Sequence, residues 1–416
     1  MNVRVLNEGY SSPEKDFYVS QATECYLIDN KGQQYIDMAM AGGSAILGHT
    51  NKDIQQAIQQ QLSLGSLFTS PTPLAHELAE LLNKNHSQYQ DFVFCSTGSE
   101  ATMRAIRIAK AYNKKKKVAV FSGCWHGSHD FVLIEEDYKY DLQSPKPLLK
   151  SAGTPTELLK QLILLPYNHP AAIEQIRQQA DDIAMVFIEP VQGSNPRDDI
   201  GAFLQQLRKV CTDNNILLGF DEVITGGRLG IGGGQAYFNV QADIATYGKT
   251  LGGGLPIGIV AGKSSIMQCI RSESPVFMGG TFSANPLSLT AGIAMYKTLA
   301  THPEIYQQIN KASEKLRSTI NTFCQKHQIQ AHMMGVASLS RLVFCQQPIA
   351  SRRERDTYEV PWHQQADFYF MLKKQGVHIG GNRINFMSAM HTDAIVERVI
   401  HAYQVCLMAW HQQGIL

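Results

Sequence analysis

The chain has 416 residues, enough for more than one domain and for a large buried core. Its 37 basic and 36 acidic residues leave a formal charge of +1, which gives no basic footprint for nucleic acid or for an anionic membrane surface. A small-molecule substrate is therefore expected, with neither nucleic acid nor membrane as a partner.

The opening stretch MNVRVLNEGYSSPEKDF has no apolar core of signal-peptide length, and no uninterrupted span reaches transmembrane length. The eight cysteines are scattered without a CxxC pair, so neither a disulfide framework nor a metal site is expected. A reducing cytoplasm fits best. The segment ATECYLIDNKGQQYIDMA (22–39) reads as two strand-like runs around Asn30-Lys31-Gly32, a hairpin signal. Short apolar runs then alternate with helical periodicity, which predicts an α/β fold with a mainly parallel sheet. The predicted strands are 91–95, 117–121, 184–190, 216–223, 243–248 and 256–262, and the clearest helices cover 99–112 and 202–214. NKKKK (113–117) reads as a solvated helix end. Beyond about residue 300 the helices lengthen and candidate site residues thin out. The expected organisation is a large domain over 51–300, with helices on both faces of its sheet. A smaller α+β domain would be built from 1–50 and 301–416.

In open parallel sheets ligands gather beyond the carboxyl ends of the strands, and five signals fall there. Strand 91–95 runs through Ser96-Thr97-Gly98-Ser99 into a helix that would face the core with Ala101, Ala105, Ile108 and Tyr112. Gly98 permits close backbone approach, and the first-turn N–H groups suit a phosphate; the plain alternative is an ordinary helix with Ser99 as N-cap. After strand 117–121, Trp125 and His126 lie between glycines in GCWHG, placed to lay an aromatic face on a planar ring or to serve as a structural tryptophan. Glu189 and the Asp221-Glu222 pair end apolar strands, where a carboxylate needs a cation or donors to offset desolvation. A protonated pyridine nitrogen supplies that cation, and so does a structural salt bridge. Finally, Lys249 sits in DIATYGKTLGGGLPIG, where glycine crowding and partial burial would lower its pKa and expose a neutral amine able to form a Schiff base. A turn with a snorkelling lysine is the alternative. A phosphate cradle, a stacking ring, an acid for a ring nitrogen and an amine for an aldehyde are together the needs of pyridoxal 5′-phosphate.

With these residues in place, the chain resembles a class-III pyridoxal-phosphate aminotransferase of fold type I, most of all the glutamate-1-semialdehyde aminomutase branch. The resemblance runs from YLIDNKGQQYIDM through STGSEATMRAIRIAKAY, GCWHG, EPVQG, DEVITGGR, GKTLGGGLPIG and GTFSANPLSLTAG to FMSAMHT. It implies that Lys249 forms the internal aldimine and later shuttles the proton, while Asp221 pairs with the pyridine nitrogen. Val223 would pack on one ring face, and Trp125 on the other, where the aminomutases usually have tyrosine. Gly98 and Ser99 would hold the phosphate, with Thr281 reaching it from the neighbouring subunit of an obligate homodimer. Glu189 would stand one step behind the cofactor.

Three departures bear on substrate. Ser12 and Lys15 lie in SSPEKDF, and Lys15 stands where the aminomutase pattern has a carboxylate-binding arginine. Ser194 replaces an asparagine, and Arg383 replaces a glutamate. Arg383 would then either orient an acidic substrate group or pair with a local acid such as Asp130. The implied function is transfer of an amino group between a small amine or amino acid and a carbonyl acceptor, with pyridoxamine 5′-phosphate as the alternate cofactor form. The alternative is intramolecular conversion of glutamate-1-semialdehyde to 5-aminolevulinate for tetrapyrrole synthesis. A dinucleotide-binding reading of GGRLGIGGGQ (226–235) fails because QAYFNV does not open an amphipathic helix. A non-catalytic homologue is disfavoured by the retention of every cofactor residue.

Overall fold

A computed structural model describes residues 17–273 and 275–416. The chain divides into two compact units. The larger comprises Lys52–Tyr306 with Ile349–Thr357, and the smaller includes residues 17–51, Gln307–Pro348 and Tyr358–Leu416. Residues 349–357 thus pack with the larger unit, although the sequence reading placed them in the small domain.

The larger unit is built on a seven-stranded sheet. Its strands, in spatial order, are Asp91–Cys95, Gly258–Gly262, Ile244–Gly248, Leu217–Asp221, Ile183–Ile188, Lys117–Phe121 and Leu162–Leu165. All run parallel except Gly258–Gly262, which is antiparallel to both neighbours. Its direction follows from chain length: Gly248 pairs with Gly258, and residues 249–257 are too few for the crossover of about a dozen that a parallel pair requires. Four central strands (183–188, 217–221, 244–248 and 258–262) are buried at every position, as their unbroken apolar runs demand of a sheet covered on both faces. The strands predicted to reach residues 190 and 223 stop at Ile188 and Asp221, so Glu189 and Val223 lie in the loops that follow. The edge strand Leu162–Leu165 was not among the predicted strands.

Helix Gly98–Asn113 follows the first strand directly. Thr97, not Ser99, is its N-cap: Thr97 Oγ1 accepts from Glu100 N at 3.1 Å, and Glu100 Oε2 reaches back to Ser96 N at 2.9 Å. Thr97 is extended at φ −146°, ψ 157°, whereas Ser99 is already helical, and that backbone difference selects the cap. Ala101, Ala105 and Ile108 are fully buried as predicted, but Tyr112 in the last turn is 44% exposed, an arrangement its phenol tolerates.

In the smaller unit the predicted hairpin forms from Tyr26–Asp29 and Gln34–Asp37, with Asp29 Oδ1 accepting from Lys31 N and Gln33 N across the turn. Val19–Thr23 and Val377–His378 complete a four-stranded sheet, and a second sheet joins His332–Val336, Leu339–Val343 and Asn385–Phe386. All eight cysteines are free. No helix among the described residues is long and apolar enough to cross a membrane.

Candidate active site

Because the strands ending at Cys95, Phe121, Ile188, Asp221 and Gly248 are parallel to one another, the loops that follow them emerge at one edge of the sheet. The five predicted signals fall in those loops or, for Asp221, at the last residue of the strand.

Lys249 opens a short 3₁₀ turn, Lys249–Gly252, immediately after its strand. Its backbone is left-handed (φ +46°), a conformation that costs a non-glycine residue about 1 kcal/mol or more. The side chain is partly exposed, while Thr250, Leu251 and Gly252 behind it are buried. Burial lowers the ammonium pKa below its ordinary value. The negative fields of Glu189 and Asp221 oppose that shift, and Arg228 adds to it.

Asp221 is buried at the end of its strand. Its Oδ2 lies 2.8 Å from His126 Nδ1, and its Oδ1 accepts from Val223 N at 3.1 Å and from Thr246 Oγ1 at 3.3 Å. The His126 ring rests on Phe187 with centroids 4.5 Å apart, and its Nε2 is buried with no hydrogen-bond partner among the described residues. The sequence placed His126 in the right loop but gave no sign of this pairing. The adjacent Glu222 has a different role. It accepts from Gly234 N at 2.8 Å and Gln235 N at 3.0 Å, and from the Thr225 hydroxyl, so it anchors the helix Gly233–Phe238.

Glu189 ties two loops together. Its Oε2 accepts from Trp125 N at 2.8 Å and its Oε1 from Gly193 N at 3.1 Å. Burial, and then the charge of Asp221, push its carboxyl up to about 7. Trp125 itself is 47% exposed, with Lys150 Nζ 5.1 Å from its ring centroid, so it is not a buried structural tryptophan. Ser194 donates from Oγ to Gly123 O at 2.7 Å, and its carbonyl accepts from the buried guanidinium of Arg355, a residue the sequence reading missed.

The cradle beside the first helix is tight. A Cβ at Gly98 would stand 2.9 Å from Val223 Cγ1, and a Cβ at Gly127 (φ +107°) would stand 2.5 Å from Ser99 Oγ. Ser99 Oγ accepts from Ser128 N at 3.1 Å. Thr281 is exposed, in a segment held by Arg104, whose Nη2 donates to Gly279 O at 3.0 Å. Arg383 belongs to the smaller unit and Asp130 to the larger. It is buried (φ +59°), donates to Gln365 Oε1 and Trp362 O, and lies 3.2 Å from the Trp362 ring centroid. Ser12 and Lys15 lie outside the described residues.

These residues suit a phosphorylated pyridine aldehyde. The first-turn N–H groups of helix Gly98–Asn113 suit a phosphate, the buried Asp221 carboxylate suits a protonated ring nitrogen, and the softened Lys249 ammonium suits an aldehyde carbon. The chain is an enzyme of the pyridoxal-phosphate-dependent class: residues 10–397 match the class-III aminotransferase family, and the protein belongs to it. The family acts on small-molecule amine and carbonyl substrates. Among its relatives, a glutamate-1-semialdehyde 2,1-aminomutase from Methanocaldococcus jannaschii is 35% identical over 417 residues, covering 96% of this chain and 95% of the relative. An omega-transaminase from Sphaerobacter thermophilus superposes with a TM-score of 0.88 at 29% identity, over 96% of this chain and 92% of that one. A solved transaminase with pyridoxal phosphate bound superposes at 0.84 with 27% identity, over 98% and 94% of the two chains. Fold type I and the cofactor expected from the sequence are therefore established.

Proposed function

We propose that this enzyme moves an amino group between small molecules, with Lys249 as the amine that attaches the cofactor and later carries the proton. The observation behind this reading is the convergence, at one sheet edge, of a partly exposed lysine of lowered pKa with a buried Asp221–His126 pair. Bound there, the cofactor supplies an aldehyde and an electron-withdrawing ring. Asp221, oriented by His126, Val223 N and Thr246, keeps a proton on the ring nitrogen. Val223 and Trp125 would bracket the ring and Gly98 and Ser99 would hold the phosphate, while Glu189 fixes the backbone that carries Trp125. Lys249 Nζ, whose pKa burial lowers, would accept the substrate's α-proton and return it.

Two readings of the substrate follow. The names and full-length similarity of the aminomutase relatives favour conversion of glutamate-1-semialdehyde to 5-aminolevulinate. Lys15, at a position where the aminomutase pattern has an arginine, favours transfer between two molecules, and Ser194 belongs with it as a candidate substrate contact. A homodimer completes either reading. Thr281 is exposed beside Phe277 (75% exposed) and Phe282 (60%), and Leu62, Leu64 and Leu67 add further exposed apolar surface in the same unit. A cytoplasmic enzyme agrees with eight free cysteines.

The test measures 5-aminolevulinate formation against transfer from a panel of amino acids and amines, following the cofactor's absorbance. Bleaching of a yellow holoenzyme by a donor supports amino transfer, and 5-aminolevulinate production selects the aminomutase reading. A holoenzyme that responds to no donor and forms no 5-aminolevulinate would overturn both.

A further inference from the structure

One step further out from the Asp221–His126 pair stand Thr102 and His129. Thr102 is buried in helix Gly98–Asn113, and its Oγ1 lies 2.5 Å from His126 O, 3.0 Å from Ser99 O and 3.1 Å from His129 Nε2. A hydroxyl carries one proton, and the two carbonyls can only accept. Two oxygens 2.5 Å apart repel unless a proton lies between them, so that proton points at His126 O. The contact to His129 must then run the other way, with Nε2–H donating to the hydroxyl. This choice makes Nδ1 the bare nitrogen of a neutral imidazole, and Nδ1 is the atom that has no partner among the described residues. Burial, followed by the charge of His126, lowers the His129 imidazole to about 4, in keeping with the neutral form.

We propose that His129 is a positioning residue: by donating to the Thr102 hydroxyl it aims that hydroxyl at His126 O and so holds the imidazole that orients Asp221. Thr102 stands in the helix that opens at Gly98, so its bond to His126 O ties that helix to the loop bearing Trp125 and His126. This inference rests on the reading that Asp221 faces the ring nitrogen.

The experiment compares holoenzymes carrying His129→Phe, His129→Gln, Thr102→Val, Thr102→Ser and Asp221→Asn. It reads kcat, KM, and the pH titration of the bound cofactor's absorbance. His129→Phe and Thr102→Val should lower kcat roughly 10- to 100-fold and shift that titration, with KM held within about a factor of two. Glutamine can donate from Nε2 and serine keeps the hydroxyl, so His129→Gln and Thr102→Ser should restore most of both. If Thr102→Val does not fold, the two His129 variants decide. A His129→Phe enzyme with unchanged kcat and titration overturns the proposal, and so does a His129→Gln enzyme no better than His129→Phe. If Asp221→Asn also leaves the titration unmoved, the Asp221 reading has failed; if it moves while His129→Phe does not, only the present inference has failed.

Discussion

His126 Nδ1 and Asp221 Oδ2 meet at 2.8 Å although 95 positions separate them in the chain. One comes from the loop after Lys117–Phe121 and the other from the end of Leu217–Asp221, two strands that flank Ile183–Ile188. The imidazole lets a buried carboxylate stay oriented, since one oxygen accepts from the ring and the other from Val223 N and Thr246 Oγ1. Asp221→Asn should lower kcat at least roughly 100-fold while leaving most of the fold intact, because the electron sink is lost. His126→Phe should act in the same direction but less strongly. Steady-state rates of the two purified holoenzymes check this, and near-normal turnover by Asp221→Asn would contradict it.

Lys249, the proposed reactive amine, has a strained backbone. Lys249→Ala should abolish turnover if Lys249 is the amine that attaches the cofactor. Lys249→Gly should also be inactive, and should melt higher than Lys249→Ala by an amount matching about 1 kcal/mol, because glycine adopts φ +46° without strain. Borohydride reduction of the wild-type holoenzyme followed by peptide mapping should label Lys249. A label on any other lysine would refute the assignment.

Glu189 gives the cofactor-free protein a pH dependence whose sign can be worked out. Its folded carboxyl titrates near 7, above the ordinary 4.5, so the folded state binds the extra proton. The stability linked to this group is fully present below about pH 4.5 and is lost as pH rises through 7, a change of about 3 kcal/mol. His86, lowered by burial from 6.5 to about 4, works in the opposite sense: its share is present above pH 6.5 and lost as pH falls toward 4. Denaturant titrations of the apoprotein from pH 5 to 8 should show Glu189→Gln flattening the upper part of the profile. An unchanged slope between pH 6 and 8 would show that Glu189 is not protonated in the fold.

Much of this candidate site was legible because its acids and its lysine stand at the ends of apolar strands, which the sequence marks plainly. Glu189, Asp221 and Lys249 were found that way, and Glu222 was separable from Asp221 only once its bonds to Gly234 N and Gln235 N were seen. The cap was ambiguous because Ser96-Thr97-Gly98-Ser99 offers hydroxyls on both sides of the true helix start, and only backbone angles decide between them. His129 and Arg355 left no trace in the sequence, since each acts through a carbonyl or hydroxyl that any residue pattern could supply. Leu162–Leu165 is four residues of apolar chain after a 3₁₀ turn, too short for periodicity to distinguish strand from helix.

The exposed apolar segment around Thr281 predicts a second copy of the chain. Phe282→Glu should weaken self-association, lowering the mass seen by light scattering and the affinity for the cofactor together, since Thr281 would no longer reach the neighbouring phosphate. Thr281→Val should lower cofactor affinity alone. A wild-type monomer that is fully active during assay would end this proposal.

The last prediction concerns Arg383, whose charge was the strongest hint that the substrate is not glutamate-1-semialdehyde. Its guanidinium donates to Gln365 Oε1 and Trp362 O and stacks on the Trp362 ring, all within the smaller unit. These contacts are spaced as a structural anchor: a planar fork that fills two acceptors and covers an indole. A residue held in this way supports the fold first. Arg383→Ala should therefore cost roughly 1–3 kcal/mol of stability through the unpaired Gln365 and the uncovered Trp362, while KM for the best donor changes by less than about threefold. Arg383→Lys should recover charge but not stability, because an ammonium cannot stack and fork at once. Denaturation midpoints set beside KM for each variant separate the two roles. A large rise in KM for acidic substrates, with stability unchanged, would return Arg383 to substrate recognition and strengthen the case for transfer between two molecules.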